Sequence, residues 1–168
     1  KPGERFGYSN TGMLLLGVVI EKVTGKSYFE VIRTNITGPA GMSNTDSYAM
    51  DDPVENFATG HIPAPGPLKW TENSLMHVLK GGPAGGGYST VRDLDRFANF
   101  MLAGKYVKRE TLERHWTDHI KARYGYGFQV STGPAGKVVG HSGGFPGLNG
   151  QLDIYLDKGV TVAALANH

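Results

Sequence analysis

With 168 residues, an apolar fraction of 39% and 17 lysines and arginines against 15 aspartates and glutamates, the chain can bury one core. It lacks the one-sided charge that marks a nucleic-acid or anionic-membrane partner. The absence of cysteine excludes disulfides and thiolate metal sites and leaves the compartment open between cytoplasm and periplasm or exterior. No apolar run nears the ~18–20 residues of a membrane span, and residues 1–4 do not read as a signal peptide.

Taken in chain order, residues 11–24 have the length of a helix stopped by Gly25, and 13–20 are apolar on nearly every face. Such a helix is expected to be buried all round. Ser27 with Glu30 forms a capping box that starts a second helix running to about Ile36 and ended by Gly38-Pro39, so the two make a helical hairpin. From 41 to 83 the periodicity weakens, and Pro53, Pro63, Pro65 and Pro67 predict a long excursion holding one short helix near 74–79. The glycine loop 81–87 leads into Tyr88-Ser89-Thr90, where Ser89 or Thr90 caps a helix with apolar positions at Leu94, Phe97, Ala98, Met101 and Leu102. A further helix is predicted over 110–116.

The period then drops from near four to two. Residues 123–131, 137–142, 148–157 and 160–167 read as strands, the last two joined by a turn at Asp157-Lys158-Gly159. Helices first and an antiparallel sheet last predict an α+β architecture of the sheet-backed α/β type. It occupies one domain over 1–168, mainly helix and loop at 1–122 and antiparallel strands at 123–168. Nothing follows the last strand to cover the sheet, and the all-apolar first helix also lacks partners, so the architecture is expected to be incomplete at both ends.

Two segments carry groups suited to acyl chemistry. Tyr8 precedes the first helix, where Ser9 or Asn10 can cap free amides and the positive end of the helix dipole favours an anion. A tyrosine there is a candidate general base, since a phenol of ordinary pKa near ~10 needs such help at neutral pH. Asn10 offers an amide donor and a carbonyl acceptor to a substrate. The alternative is a buried tyrosine beside an ordinary capping asparagine. Further on, Lys137-Val-Val-Gly-His141 reads as a strand entering Ser142-Gly143-Gly144, where glycine lets a ligand approach the backbone. The Gly144 N–H would then be one donor of an oxyanion hole, the nucleophile's own N–H the other. The alternative is that these glycines simply turn the chain.

Together these segments resemble a known family. Pro2-Gly3-Glu4-Arg5-Phe6-x-Tyr8-Ser9-Asn10-x-Gly12-x-x-Leu15-Leu16-Gly17 resembles the second motif region of the serine beta-lactamase-like family, which includes class C beta-lactamases, DD-peptidases and related esterases. The likeness continues through Ile20-Glu21-x-Val23-Thr24-Gly25-Lys26-x-Tyr28, Pro39-Ala40-Gly41-Met42-x-x-Thr45, 83–97 and Gly140-His141-Ser142-Gly143-Gly144-x-x-Gly147. The resemblance implies a catalytic role for Tyr8, substrate binding by Asn10, and His141-Ser142-Gly143 as counterpart of a Lys-Thr-Gly strand motif, with Gly144 as the strand-side oxyanion amide. Histidine in place of the lysine holds an anion less strongly at pH 7 and turns the expectation from beta-lactams towards esters, amides or D-amino-acid peptides.

The family's nucleophile sits in a Ser-x-x-Lys, and no serine of this chain has lysine three places on. The expected function is therefore that of a serine hydrolase working through an acyl-enzyme, represented here by a part without the nucleophile and inactive alone. The alternative is a noncatalytic peptidoglycan- or peptide-binding module. The expected partners are a small-molecule or peptide substrate, and either the remainder of the same protein or another copy; no cofactor is implied. His115 and His119 stand four apart, a metal-ligand spacing, but Trp116-Thr117-Asp118 between them is not the zincin pattern, and no metal site is expected. His61, His77 and His168 read as surface residues without partners. The loop at 82–87 lacks the Lys-Ser/Thr of a phosphate loop, and Trp116, Tyr124, Tyr126 and Phe128 read as core or cleft wall.

Overall fold

The computed structural model describes residues 4–168; Pro2 and Gly3, which open the motif around Tyr8, lie outside them. Helix α1 (Asn10–Thr24) starts where the Ser9 hydroxyl accepts from the Gly12 N–H at 3.0 Å and stops where Gly25 takes a left-handed φ of 68°. The expectation that it is buried on every side is corrected. Leu14, Leu15, Leu16, Val18, Val19 and Val23 are all exposed, and only Gly17 is buried. The described elements reach α1 along one strip: a Cβ at Gly17 would stand 2.2 Å from the Pro83 ring, and Glu21 accepts from the Tyr28 N–H at 2.8 Å. Helix α2 (Tyr28–Ile32), capped by Ser27, widens into a π turn (Arg33–Thr37) instead of running on as a regular helix. There the Gly38 N–H reaches back to the Arg33 carbonyl at 2.9 Å, and Thr34 and Asn35 side chains bond the carbonyls of Glu30 and Val31.

The excursion holds two strands too short for a periodicity to reveal, β1 (His61–Pro63) and β2 (Trp70–Glu72), paired antiparallel. The helix expected near 74–79 is one 3₁₀ turn (Ser74–Met76). Helix α3 (Val91–Leu102) is capped by Thr90, and α4 (Arg109–His115) follows it.

Four strands, β3 (Gln129–Gly133), β4 (Gly136–Phe145), β5 (Leu148–Tyr155) and β6 (Val160–Ala166), form an antiparallel sheet in chain order. Val130, Val139 and Ile154 lie side by side across β3, β4 and β5. They meet Ala98 and Met101 of α3, Leu112 of α4 and the adjoining Trp116, which together make the core. Helices on one face of an antiparallel sheet are the predicted α+β layering.

Two strand limits differ from expectation. The strand expected from 123 begins at Gln129, because Lys121 and Arg123 take left-handed φ values of 56° and 58° and turn the chain. The strand expected to end near 142 runs to Phe145, so residues 142–144 lie inside β4 rather than in a turn. Backbone pairing to residues 149–151 of β5 holds them extended whatever their side chains.

Asn73 ties the excursion to the tip of this sheet. Fully buried, it donates from Nδ2 to the Pro146 carbonyl at 2.8 Å, and its Oδ1 accepts from His77 Nε2 at 3.0 Å. His77 is thus not the partnerless surface residue expected. Replacing the buried Asn73 by alanine removes both hydrogen bonds, and we expect a loss of about 1–2 kcal/mol of unfolding free energy in a urea titration; an unchanged midpoint would show that water substitutes for the amide.

Candidate active site

The sheet presents one half-paired strand. β3 pairs with β4 only over residues 136–140, and among the described residues no strand pairs with the same edge of 141–145. Residues facing each other across antiparallel strands alternate between bonded and non-bonded pairs. The Leu156 N–H donates to the Lys137 carbonyl at 3.0 Å, so the odd-numbered residues of β4 bond to β5. Ser142 and Gly144 therefore aim their N–H and C=O groups at the open edge. Glycine is required nearby at Gly140, where a Cβ would stand 1.9 Å from the Leu152 carbonyl oxygen, while the space beside Gly143 is open.

Beside this edge Phe6, Tyr8, Tyr124, Gln129, Gly140 and His141 line an open cleft of about 440 Å³. Tyr8 is 56% exposed and stands just before the Ser9 cap of α1. Asn10 opens the helix; since Ser9 does the capping, the Asn10 amide is not committed to the helix end. The structure thus brings Tyr8 and His141 to one cleft. Asn10 lies two residues past its lining, and Ser142, Gly143 and Gly144 continue β4 beyond it. Arg123 and Asp153 are the charged residues among those that line it.

Tyr124 is the residue that reading the sequence as core or cleft wall missed. Its hydroxyl lies 2.8 Å from His141 Nε2, with the two rings edge-on at 87°. His141 Nδ1 lies 2.6 Å from the Ser142 carbonyl. A carbonyl can only accept, so Nδ1 carries the proton, and in the neutral ring Nε2 accepts from Tyr124. Burial, then the nearby Tyr8, push the Tyr124 pKa above the ordinary phenol value, which keeps it a donor at neutral pH. The only hint in sequence was Gly125 and Gly127 flanking Tyr126, a sign of close backbone approach: a Cβ at Gly125 would stand 1.9 Å from the His115 carbonyl oxygen.

Asp118 holds the turn that presents Tyr124, accepting from the N–H groups of Ala122 at 2.9 Å and Arg123 at 2.8 Å. Desolvation pushes its carboxyl up, but backbone hydrogen bonds from Arg123, Ala122, Tyr124 and Ile120 outweigh that and hold its pKa below the ordinary carboxylate value. His115 and His119 bond to the Thr111 and Arg114 carbonyls instead of converging on a point. Among the described residues no group of three or more His, Cys, Asp or Glu side chains gathers as a metal site.

A helix start carrying a tyrosine, set against a half-paired glycine strand, is a fold this chain shares with solved penicillin-binding and amidohydrolase structures. A penicillin-binding protein from Bacillus halodurans superposes with a TM-score of 0.92 at 27% identity, over 99% of this chain and 52% of its own. A D-stereospecific amidohydrolase from Streptomyces sp. superposes with a TM-score of 0.83 at 28% identity, again over 99% and 52%. Penicillin-binding protein 4* of Bacillus subtilis is 30% identical over 99% of this chain and 41% of its own length. The family model described as Beta-lactamase matches residues 1–168, and the chain belongs to that family. It spans about half the length of these relatives or less.

Because the folded pKa of Asp118 lies below its unfolded value, the stability it contributes is complete above about pH 4 and is lost as pH falls through the folded pKa. The amide proton shifts of Ala122 and Arg123 are therefore expected to titrate together with a midpoint below about pH 4, and Asp118→Asn removes the titration. A midpoint at or above the ordinary carboxylate value would contradict the assigned hydrogen bonds.

Proposed function

We propose that this chain is the larger part of the catalytic domain of a serine hydrolase that acts on an ester, amide, beta-lactam or D-amino-acid peptide through an acyl-enzyme. The observation that carries the reading is the meeting of Tyr8 and His141 on one cleft beside the open edge of β4. Tyr8 is the proposed catalytic tyrosine, Asn10, Ser142 and Gly143 bind substrate beside His141, which lines the cleft, and the Gly144 N–H is one oxyanion donor. The names of the relatives, a penicillin-binding protein and a D-stereospecific amidohydrolase, support the substrate class.

The chemistry follows from these positions. A serine hydroxyl attacks the substrate carbonyl while Tyr8, with the lysine of a Ser-x-x-Lys, takes its proton. The carbonyl oxygen becomes an oxyanion and receives the Gly144 N–H and the N–H of the nucleophile. The same proton passes to the leaving nitrogen or oxygen as the bond to carbon breaks, and water later cleaves the acyl-enzyme by the reverse route. Extended substrate backbone or a beta-lactam amide can pair with Ser142 and Gly144 as an added strand.

No Ser-x-x-Lys occurs in this sequence, and on this reading the chain alone does not turn over. The second reading is a noncatalytic peptidoglycan- or peptide-binding module that keeps the cleft. Intact mass separates the readings. The chain alone is expected to stay unmodified by a penicillin or an activated short-chain ester, whereas the full-length protein gains one acyl adduct on a serine followed three places on by lysine. Tyr8→Phe in the full-length protein is expected to slow that acylation by about 10²–10⁴-fold. A full-length protein that binds penicillin without an adduct would favour the binding module.

A further inference from the structure

We propose that Tyr124 is a positioning residue of this cleft: its hydroxyl holds His141 as the Nδ1–H tautomer, so that the ring is fixed within the chain instead of binding a substrate anion. The proposal deepens the serine-hydrolase reading and rests on it.

Both imidazole nitrogens are already engaged within the chain, Nδ1 with the Ser142 carbonyl at 2.6 Å and Nε2 with Tyr124 at 2.8 Å. A substrate carboxylate at His141 would have to displace one of these bonds and also draw a proton onto the ring. The Tyr124 oxygen, having donated its proton to Nε2, keeps lone pairs that can accept. Tyr8 lines the same cleft. The chain Tyr124 to His141 to the Ser142 carbonyl ends on the strand whose next outward-facing amide is Gly144.

The backbone around Tyr124 is built to hold it. Lys121 and Arg123 carry left-handed φ values of 56° and 58°, a conformation that non-glycine residues keep only when the surroundings enforce it. Asp118 supplies that enforcement through the Ala122 and Arg123 amides. Gly125 lets the following turn press on the His115 carbonyl, which accepts from the Tyr126 N–H at 3.0 Å. Phe6, two residues before Tyr8, packs on the Tyr124 ring at 5.6 Å between centroids. These contacts fix the backbone and ring of Tyr124 and thereby the position of its hydroxyl against His141.

The test is ¹⁵N imidazole spectroscopy and steady-state kinetics on the full-length protein and its Tyr124→Phe variant, with near-UV circular dichroism reporting that the variant is folded. The expected wild-type spectrum shows His141 protonated at Nδ1 with Nε2 as a hydrogen-bonded acceptor. In Tyr124→Phe the Nε2 resonance moves to that of a free pyridine-type nitrogen, and kcat falls about tenfold, the worth of one hydrogen bond, with KM nearly unchanged. A wild-type His141 protonated at Nε2, a spectrum that does not respond to Tyr124→Phe, or an unchanged kcat overturns the positioning role. Full activity in Tyr8→Phe instead overturns the serine-hydrolase reading, and this proposal with it.

Discussion

β4 is paired on both edges as far as Gly140 and on one edge after it, and the cleft follows from that change. A strand edge left open exposes unpaired amide and carbonyl groups, which proteins usually cover or blunt. Here the open stretch is five residues, two of them glycine, beside the aromatic cluster of Phe6, Tyr124 and His141. A strand pairing along residues 141–145 would cover the outward-facing amides of Ser142 and Gly144.

What ends β3 is therefore as consequential as what forms β4. Val130 continues the core row with Val139 and Ile154, so β3 is pinned where that row requires it. Upstream of Gln129 the chain leaves the sheet through the strained turn held by Asp118 and returns Tyr124 over His141. Core packing on one face of the sheet and a carboxylate cap at its edge thus set the geometry of the cleft together. Asn73 does the corresponding work at the far end, binding the Pro146 carbonyl and so fixing the tip of the β4–β5 hairpin just past Gly144.

Much of this was legible in the residues themselves. Ser9, Ser27 and Thr90 cap helices because a short hydroxyl side chain satisfies a free amide wherever it stands, and Gly25 stops α1 because few other residues accept its φ. The alternation in 148–157 and 160–167 marked the last two strands, and the family resemblance agrees with the match over the whole chain. The exposure of α1, the π turn after α2, the hairpin of β1 and β2, and the role of Asn73 were not legible. Asn73 depends on a partner far away in the sequence, β1 and β2 are three residues long, where periodicity carries no information, and the π turn rests on local side-chain bonds that no period marks.

The sequence by itself determined the order of helices and strands, the caps, and the residue types gathered around Tyr8 and His141, because these follow from local sterics, hydrogen bonding and hydrophobic period. Only the tertiary structure decided that β4 runs through its glycines, that its outer edge opens after Gly140, and that Tyr124 meets His141 across seventeen residues of chain. Those outcomes depend on which strand stops first and on how a strained turn is held, and both are settled by packing and pairing between distant segments rather than by any one segment's preference.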